Sequence, residues 1–270
     1  MAAVIYALWL AVSLFFIPTR TFALTVEEVM SEVIRNIAGP PGKAVVASGK
    51  MKTSTKNSDI LLLRYVEADK LIEVVQTDLF RSGEAGGDAN WKYKIFWDKN
   101  GHIYEDENGI HQLLYLPSLR RQRIPSTDLL DGVYDGQYPY GLLPLFGILE
   151  DFSYTSLRQE GEQFLVSAVR KPESSSPFPS AEFTIGVRGA TLVIEKASYT
   201  TDRKGDTVLQ MLEDYREVSD AEGYFAPYKV SAADTIFTFT RWSAIDPPSW
   251  VLSRLNIGMH NIPKPQRTLK

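Results

Sequence analysis

Cysteine is absent from all 270 residues. This excludes a disulfide framework, thiol nucleophiles, cysteine-based metal sites and the lipidated cysteine that tethers a bacterial lipoprotein. Histidine is scarce as well, with His102, His111 and His260 the only three. No His-Glu-x-x-His, no Gly-x-Ser-x-Gly elbow and no phosphate-cradling glycine loop occurs. The expectation is therefore a protein that is not an enzyme, with no catalytic residues, no cofactor and no metal. His102 beside Glu105, Asp106 and Glu107 has the donor types for a divalent ion, but acidic hairpin tips are ordinarily solvated. His111, on an apolar strand, reads as a satisfied interior residue. Positive charge is not in excess: 29 Lys and Arg against 33 Asp and Glu leave a net charge of −4, which gives the chain little reason to bind nucleic acid.

Long apolar character is confined to the start. Residues 1–23 carry Trp9, Phe15 and Phe16, are broken by Pro18 and close on Thr21-Phe22-Ala23, small residues at the positions a signal peptidase reads. They are expected to be a secretory signal peptide cleaved after Ala23. Left uncleaved, the run would be an anchor, although 2–17 is short against the about 20 residues of a spanning helix. Cleavage removes Arg20 and no acid. Residues 24–270 then suit a single, mainly β domain.

Thr25 followed by Glu28 is a capping box, and Val26, Val29, Met30, Val33, Ile34 and Ile37 recur at helical spacing until Gly39-Pro40-Pro41. Its acidic residues argue for a helix packed on its own sheet rather than on a membrane. From Lys43 the period becomes two, predicting strands over 44–53, 59–66, 71–79, 91–97, 102–105, 110–116 and 120–124, and again over 164–170, 182–187, 191–200, 207–218, 225–231 and 236–242. Residues 172–179 read as an exposed loop of turn formers. Around a dozen antiparallel strands without βαβ alternation imply a mainly β, α+β chain built on a large, strongly curved sheet. Trp91, Tyr93, Ile95 and Trp97 alternate with Lys92 and Lys94, and Phe237 and Phe239 alternate with Ile236, Thr238, Thr240 and Trp242. One face therefore meets apolar material and the other meets water.

The stretch 110–154 is the most distinctive. An apolar strand ends at Pro117, and Arg120, Arg121 and Arg123 follow at once; alternation puts Arg121 and Arg123 on one face, where forked donors suit a phosphate or carboxylate head group, or a salt bridge to Glu150 or Asp151. Beyond Pro125 the turn formers are interrupted by Leu142, Leu143, Leu145, Phe146, Ile148 and Leu149. A loop this apolar covers a cavity, docks on a partner or plugs its own core. Pro139, Gly141, Pro144 and Gly147 oppose any regular element there, so a mobile lid is expected.

Tyr115-Leu116-Pro117-Ser118-Leu119-Arg120-Arg121, then Arg123-Ile124-Pro125-Ser126 and Glu150-Asp151-Phe152-Ser153-Tyr154, resemble the bacterial outer-membrane lipoprotein-sorting proteins (LolA/LolB-like). The later segments 194–205, 209–218, Tyr224-Phe225-Ala226-Pro227 and 246–255 resemble that family's final strands in order. At 142–149 the chain departs from the family, whose pattern has a short Gly-Ser-Asp-Phe-like segment. On periodicity alone, a filled core is the commoner outcome for aromatic stripes on strands. The resemblance implies instead a half-barrel closed by helices and loops over an apolar cavity for acyl chains. It implies a periplasmic carrier of a lipid or lipoprotein acyl chain, with transient membrane contact and an inner-membrane transporter as a further partner. The cavity would be lined by Trp91, Tyr93, Ile95, Trp97, Phe237 and Phe239, with Leu142, Leu143, Leu145, Phe146, Ile148 and Leu149 over it and Arg121 and Arg123 as head-group or lid contacts. The alternative is a periplasmic sensor or adaptor that binds a protein, in envelope-stress signalling or beside a transporter.

Overall fold

The computed structural model describes residues 24–55, 57–67, 70–79, 91–97, 112–116, 120–124, 130, 138–142, 149, 151–174, 176–203, 206–249 and 263–265. The signal-peptide reading of 1–23, the strand 102–105 and the three histidines lie outside these residues.

Helix α1 spans Val26–Ala38. Both halves of its capping box form: the Glu28 amide donates to Thr25 Oγ1 at 3.2 Å, and the Thr25 amide donates to Glu28 Oε2 at 2.8 Å. Val29, Met30, Val33 and Ile37 make the buried stripe. The helix stops at Gly39, whose φ of +85° favours glycine and where a Cβ would lie 2.5 Å from Val45 Cγ2. Thr25→Ala is expected to lower stability by about 0.5–2 kcal/mol, read from the denaturant midpoint.

Among the described residues, thirteen antiparallel strands form one sheet: β1 (Ala44–Lys52), β2 (Asn57–Glu67), β3 (Lys70–Leu79), β4 (Trp91–Trp97), β5 (Gln112–Leu116), β6 (Arg120–Ile124), β7 (Phe152–Glu160), β8 (Gln163–Arg170), β9 (Ser180–Arg188), β10 (Thr191–Thr200), β11 (Thr207–Glu217), β12 (Phe225–Ala232) and β13 (Thr235–Ile245). The order is β6-β5-β4-β3-β2-β1-β13-β12-β11-β10-β9-β8-β7. The chain runs outward from β1 to β6, then returns from β7 inward, so that first and last strands pair in the middle. β6 and β7 are the two edges, and the sheet is open. Helix α1 crosses the inner face against β10, β7 and β2, as the sequence predicts.

Three bulges bend the sheet. Thr240, Glu195 and Thr155 each stand as an extra residue against the neighbouring strand, and each reverses the face occupied by the residues beyond it. Phe239 and Trp242 are therefore both buried inside, with ring centroids 5.0 Å apart. Strict alternation puts Trp242 on the face opposite Phe239; the bulge at Thr240 corrects that. Gly49 permits the close approach, since a Cβ there would run into the Thr238 carbonyl oxygen. Two further differences have local causes. Strand β7 carries no clean alternation because it is a polar, bulged edge. The loop 172–179 is not wholly exposed, because Phe178 turns inward to full burial against Tyr199.

Candidate functional site

The inner face of the sheet, α1 and the ends of the apolar loop share a continuous hydrophobic cluster. Tyr138, Leu142 and Leu149 enter it from the loop, each no more than 2% exposed. Leu142 closes a short 3-10 turn, Tyr140–Leu142. Tyr138 is pinned on both sides: its hydroxyl donates to the Leu142 carbonyl at 2.9 Å and accepts from Gln210 Nε2 at 2.8 Å. Its ring meets Phe237 edge-on at 5.1 Å. At the other end, Tyr154 donates to the Leu149 carbonyl at 2.7 Å. Of the three roles open to the loop, its described ends take the third and plug the core; Leu143, Leu145, Phe146 and Ile148 lie outside the described residues.

Phe237 and Phe239 are buried in this core, as expected of the apolar face. On β4, register sets Tyr93 opposite Thr77, Ile95 opposite Val75 and Trp97 opposite Glu73. Val75 and Glu73 are buried on the inner side, so positions 91, 93, 95 and 97 belong to the inner rows. Arg121 and Arg123 do not. Arg123 stands opposite Leu113, Leu113 opposite Phe96 and Phe96 opposite Val74, which is an outer row, and Arg121 falls in the next outer row with Tyr115 and Lys94. By register, positions 121 and 123 thus alternate with the rows that hold positions 91, 93, 95 and 97. Alternation shows that the two share a face; only pairing through β5 and β4 shows which face.

Arg64 carries charge on the inner face. It and Glu73 sit opposite each other on β2 and β3, both 1% exposed and bridged from Nε to Oε1 at 2.8 Å. Arg64 Nη1 also donates to the Ile37 carbonyl in the last turn of α1 at 2.7 Å and to the Tyr224 hydroxyl at 3.3 Å. The guanidinium lies 5.7 Å from the Trp242 ring centroid. The signal is visible in Ile60, Leu62, Arg64 and Val66: one charge at an apolar phase of a strand.

Burial pushes the hydroxyls of Tyr138, Tyr199, Tyr215 and Tyr224 above the ordinary tyrosine range. Because folding raises these values, their neutral form contributes fully below the unfolded value of about 10 and is lost as pH rises beyond it. The urea midpoint is expected to hold from neutral pH to about pH 9 and fall toward pH 11, together with the rise of tyrosinate absorbance. Tyrosinate appearing at full amplitude in still-folded protein would contradict the burial.

Among the described residues no group of three His, Asp or Glu is placed to hold a metal ion, and no helix is long and apolar enough to cross a membrane. A groove of about 540 Å³ lies on the outer face of β7–β10, between Arg158, Ser167, Glu182 and Lys196.

No family model matches the chain, and no curated protein matches it. Solved structures share its fold. A domain from Vibrio parahaemolyticus named for outer membrane lipoprotein sorting superposes with a TM-score of 0.64 at 16% identity, over 86% of this chain and 97% of that one. A DUF1329 family protein from Desulfovibrio piger gives 0.58 at 10% identity, over 83% and 94%. A LolA superfamily protein from Nitrosomonas europaea gives 0.53 at 10% identity, over 86% and 98%. The fold is that of the LolA-like proteins, as the sequence resemblance implies.

Proposed function

We propose that this protein is a periplasmic carrier for a lipid or lipoprotein acyl chain. The observation that carries the reading is the open sheet itself: its inner face is apolar, its edges β6 and β7 do not pair with each other, and the same fold serves a protein named for lipoprotein sorting. An acyl chain needs no reacting group, only apolar surface, and each methylene removed from water stabilises the complex by about 0.8 kcal/mol. The proposed lining is Trp91, Tyr93, Ile95 and Trp97 on β4, with Leu143, Leu145, Phe146 and Ile148 as cover. Leu142, Leu149, Phe237 and Phe239 form the packed wall beside it. Export by the cleaved signal peptide delivers the carrier to the periplasm. An inner-membrane transporter would load it during transient membrane contact, and it does no chemistry of its own.

Titration of the mature protein with an environment-sensitive fluorescent fatty acid tests this. A saturable signal that phospholipid displaces, and that Trp97→Ser weakens without unfolding, is expected. A folded protein that gives no saturable signal with any acyl probe would sink the reading.

A further inference from the structure

The groove on the outer face of β7–β10 is built by two neighbouring cross-strand rows. Ser156, Ser167, Glu182 and Ser198 stand opposite one another in the first, and Arg158, Leu165, Thr184 and Lys196 in the second. All of these residues line it. The residues that alternate with them, Val166, Phe183 and Ala197, are buried in the inner cluster, which fixes both rows as outward. The groove's volume of about 540 Å³ falls in the range of roughly 300–1,000 Å³ typical of small-molecule sites. A hollow on the outside of a curved sheet has a local cause here. The bulges at Thr155 and Glu195 interrupt β7 and β10 on either side of it, and a bulge bends its strand and increases the twist.

The charges around the groove are unevenly committed. Glu195 lies back over Gly186, where a Cβ would run into its carboxylate. It is held there by Arg188 and by Gln163 Nε2 at 2.6 Å, so it is already satisfied and does not neutralise its neighbour Lys196. Lys196 is exposed, and no salt bridge holds it among the described residues. Arg158 is bridged to Glu160 at 2.9 Å with the two side chains 71% and 55% exposed, a contact of the kind that contributes little and yields to a competing anion. Two cations thus stand at the ends of one row, their backbones three strand spacings or about 14 Å apart. Between and beside them lie hydroxyls and one carboxylate, Glu182.

These groups select the occupant. Serine and threonine hydroxyls both donate and accept, and a carboxylate accepts from several donors, so the floor matches a ligand that carries many hydroxyls. The lysine and arginine add charge-assisted donors for an anion. Leu165 is the one apolar side chain in the two rows, and neither row holds an aromatic ring. A nucleobase therefore finds nothing to stack on, and a peptide finds no pocket for an apolar anchor. We propose that the outer groove of β7–β10 binds an acidic oligosaccharide, its carboxylates at Lys196 and Arg158 and its hydroxyls on Thr184, Ser167, Ser198 and Glu182. The site lies on the face opposite the acyl site and does not depend on the carrier reading.

Calorimetric titration with trigalacturonate at low salt tests this, with maltotriose as the uncharged chain and sodium phosphate as the bare anion. Saturable binding of trigalacturonate is expected, weaker by about tenfold or more in Lys196→Met, as loss of a hydrogen bond to a charged group implies. Lys196→Glu should abolish it. Position 196 is exposed, where substitutions rarely disturb a fold. Thr184→Trp, which fills the trough, should also abolish binding; if that variant does not fold, the two substitutions of Lys196 decide. Maltotriose should bind more weakly than trigalacturonate by about tenfold or more, because it offers the cations no carboxylate. The response to a fluorescent fatty acid should be the same in every folded variant, so that failure here leaves the carrier reading standing. Four outcomes overturn the proposal. They are no saturable binding of trigalacturonate; binding that is indifferent to Lys196→Glu; phosphate or maltotriose bound as tightly as trigalacturonate, which assigns the groove to a simple anion or a neutral sugar; and binding to phosphatidylglycerol vesicles that Lys196→Glu abolishes and trigalacturonate does not displace, which assigns it to a membrane surface.

Discussion

Arg64→Met is expected to lower the stability of the fold by about 3–5 kcal/mol, because it removes one partner of a buried, hydrogen-bonded ion pair. The pair lies on the inner face with both side chains 1% exposed. The guanidinium also satisfies the Ile37 carbonyl at the end of α1, a group that a helix leaves unpaired by construction. Replacing both partners, Arg64→Met with Glu73→Leu, should recover most of the loss, since an apolar pair needs no desolvation of charge. Denaturant unfolding of the three variants checks this. A single variant within about 1 kcal/mol of wild type would place the pair in an exposed setting, where such bridges contribute little.

The second large effect divides the apolar loop. Leu142→Ala and Leu149→Ala are each expected to destabilise by about 2–5 kcal/mol, as truncations of buried leucines do. Both side chains sit in the core beside residues that hold the loop down, Tyr138 and Tyr154. Leu145→Ser with Phe146→Ser should leave the melting temperature close to wild type while weakening lipid retention, if the middle of the loop serves as cover. Unfolding of that double variant by several kcal/mol would make the whole loop part of the core, and the lid reading would fail.

Much of this architecture is legible in the amino-acid sequence, and the parts that are not have definite causes. Helix α1 announces itself through Thr25, Glu28 and Gly39, all local signals. The β4 and β6 strands are readable because alternation and turn formers bound them. The β-bulges are not, since an extra residue such as Thr240 or Glu195 looks like any other until its partner strand is known, yet each one reverses the facing of the residues beyond it. Alternation misplaces Trp242 for that reason alone. The faces of Arg121 and Arg123 depend on two rounds of pairing, through β5 and β4, which no local pattern encodes. Phe178 is hidden among prolines and serines whose composition speaks only of turns. Arg64 is different: its apolar phase is on view in β2, but its partner Glu73 can be recognised only once β2 and β3 are in register.

The carrier reading is tested most directly by native mass spectrometry of the protein, gently extracted from the periplasm in which that reading places it and never exposed to detergent. The account predicts a species heavier than the polypeptide by the mass of a bound lipid or lipoprotein acyl chain, released on activation and reduced in the Leu145→Ser, Phe146→Ser variant. A protein found consistently at the mass of the bare polypeptide under those conditions would contradict it.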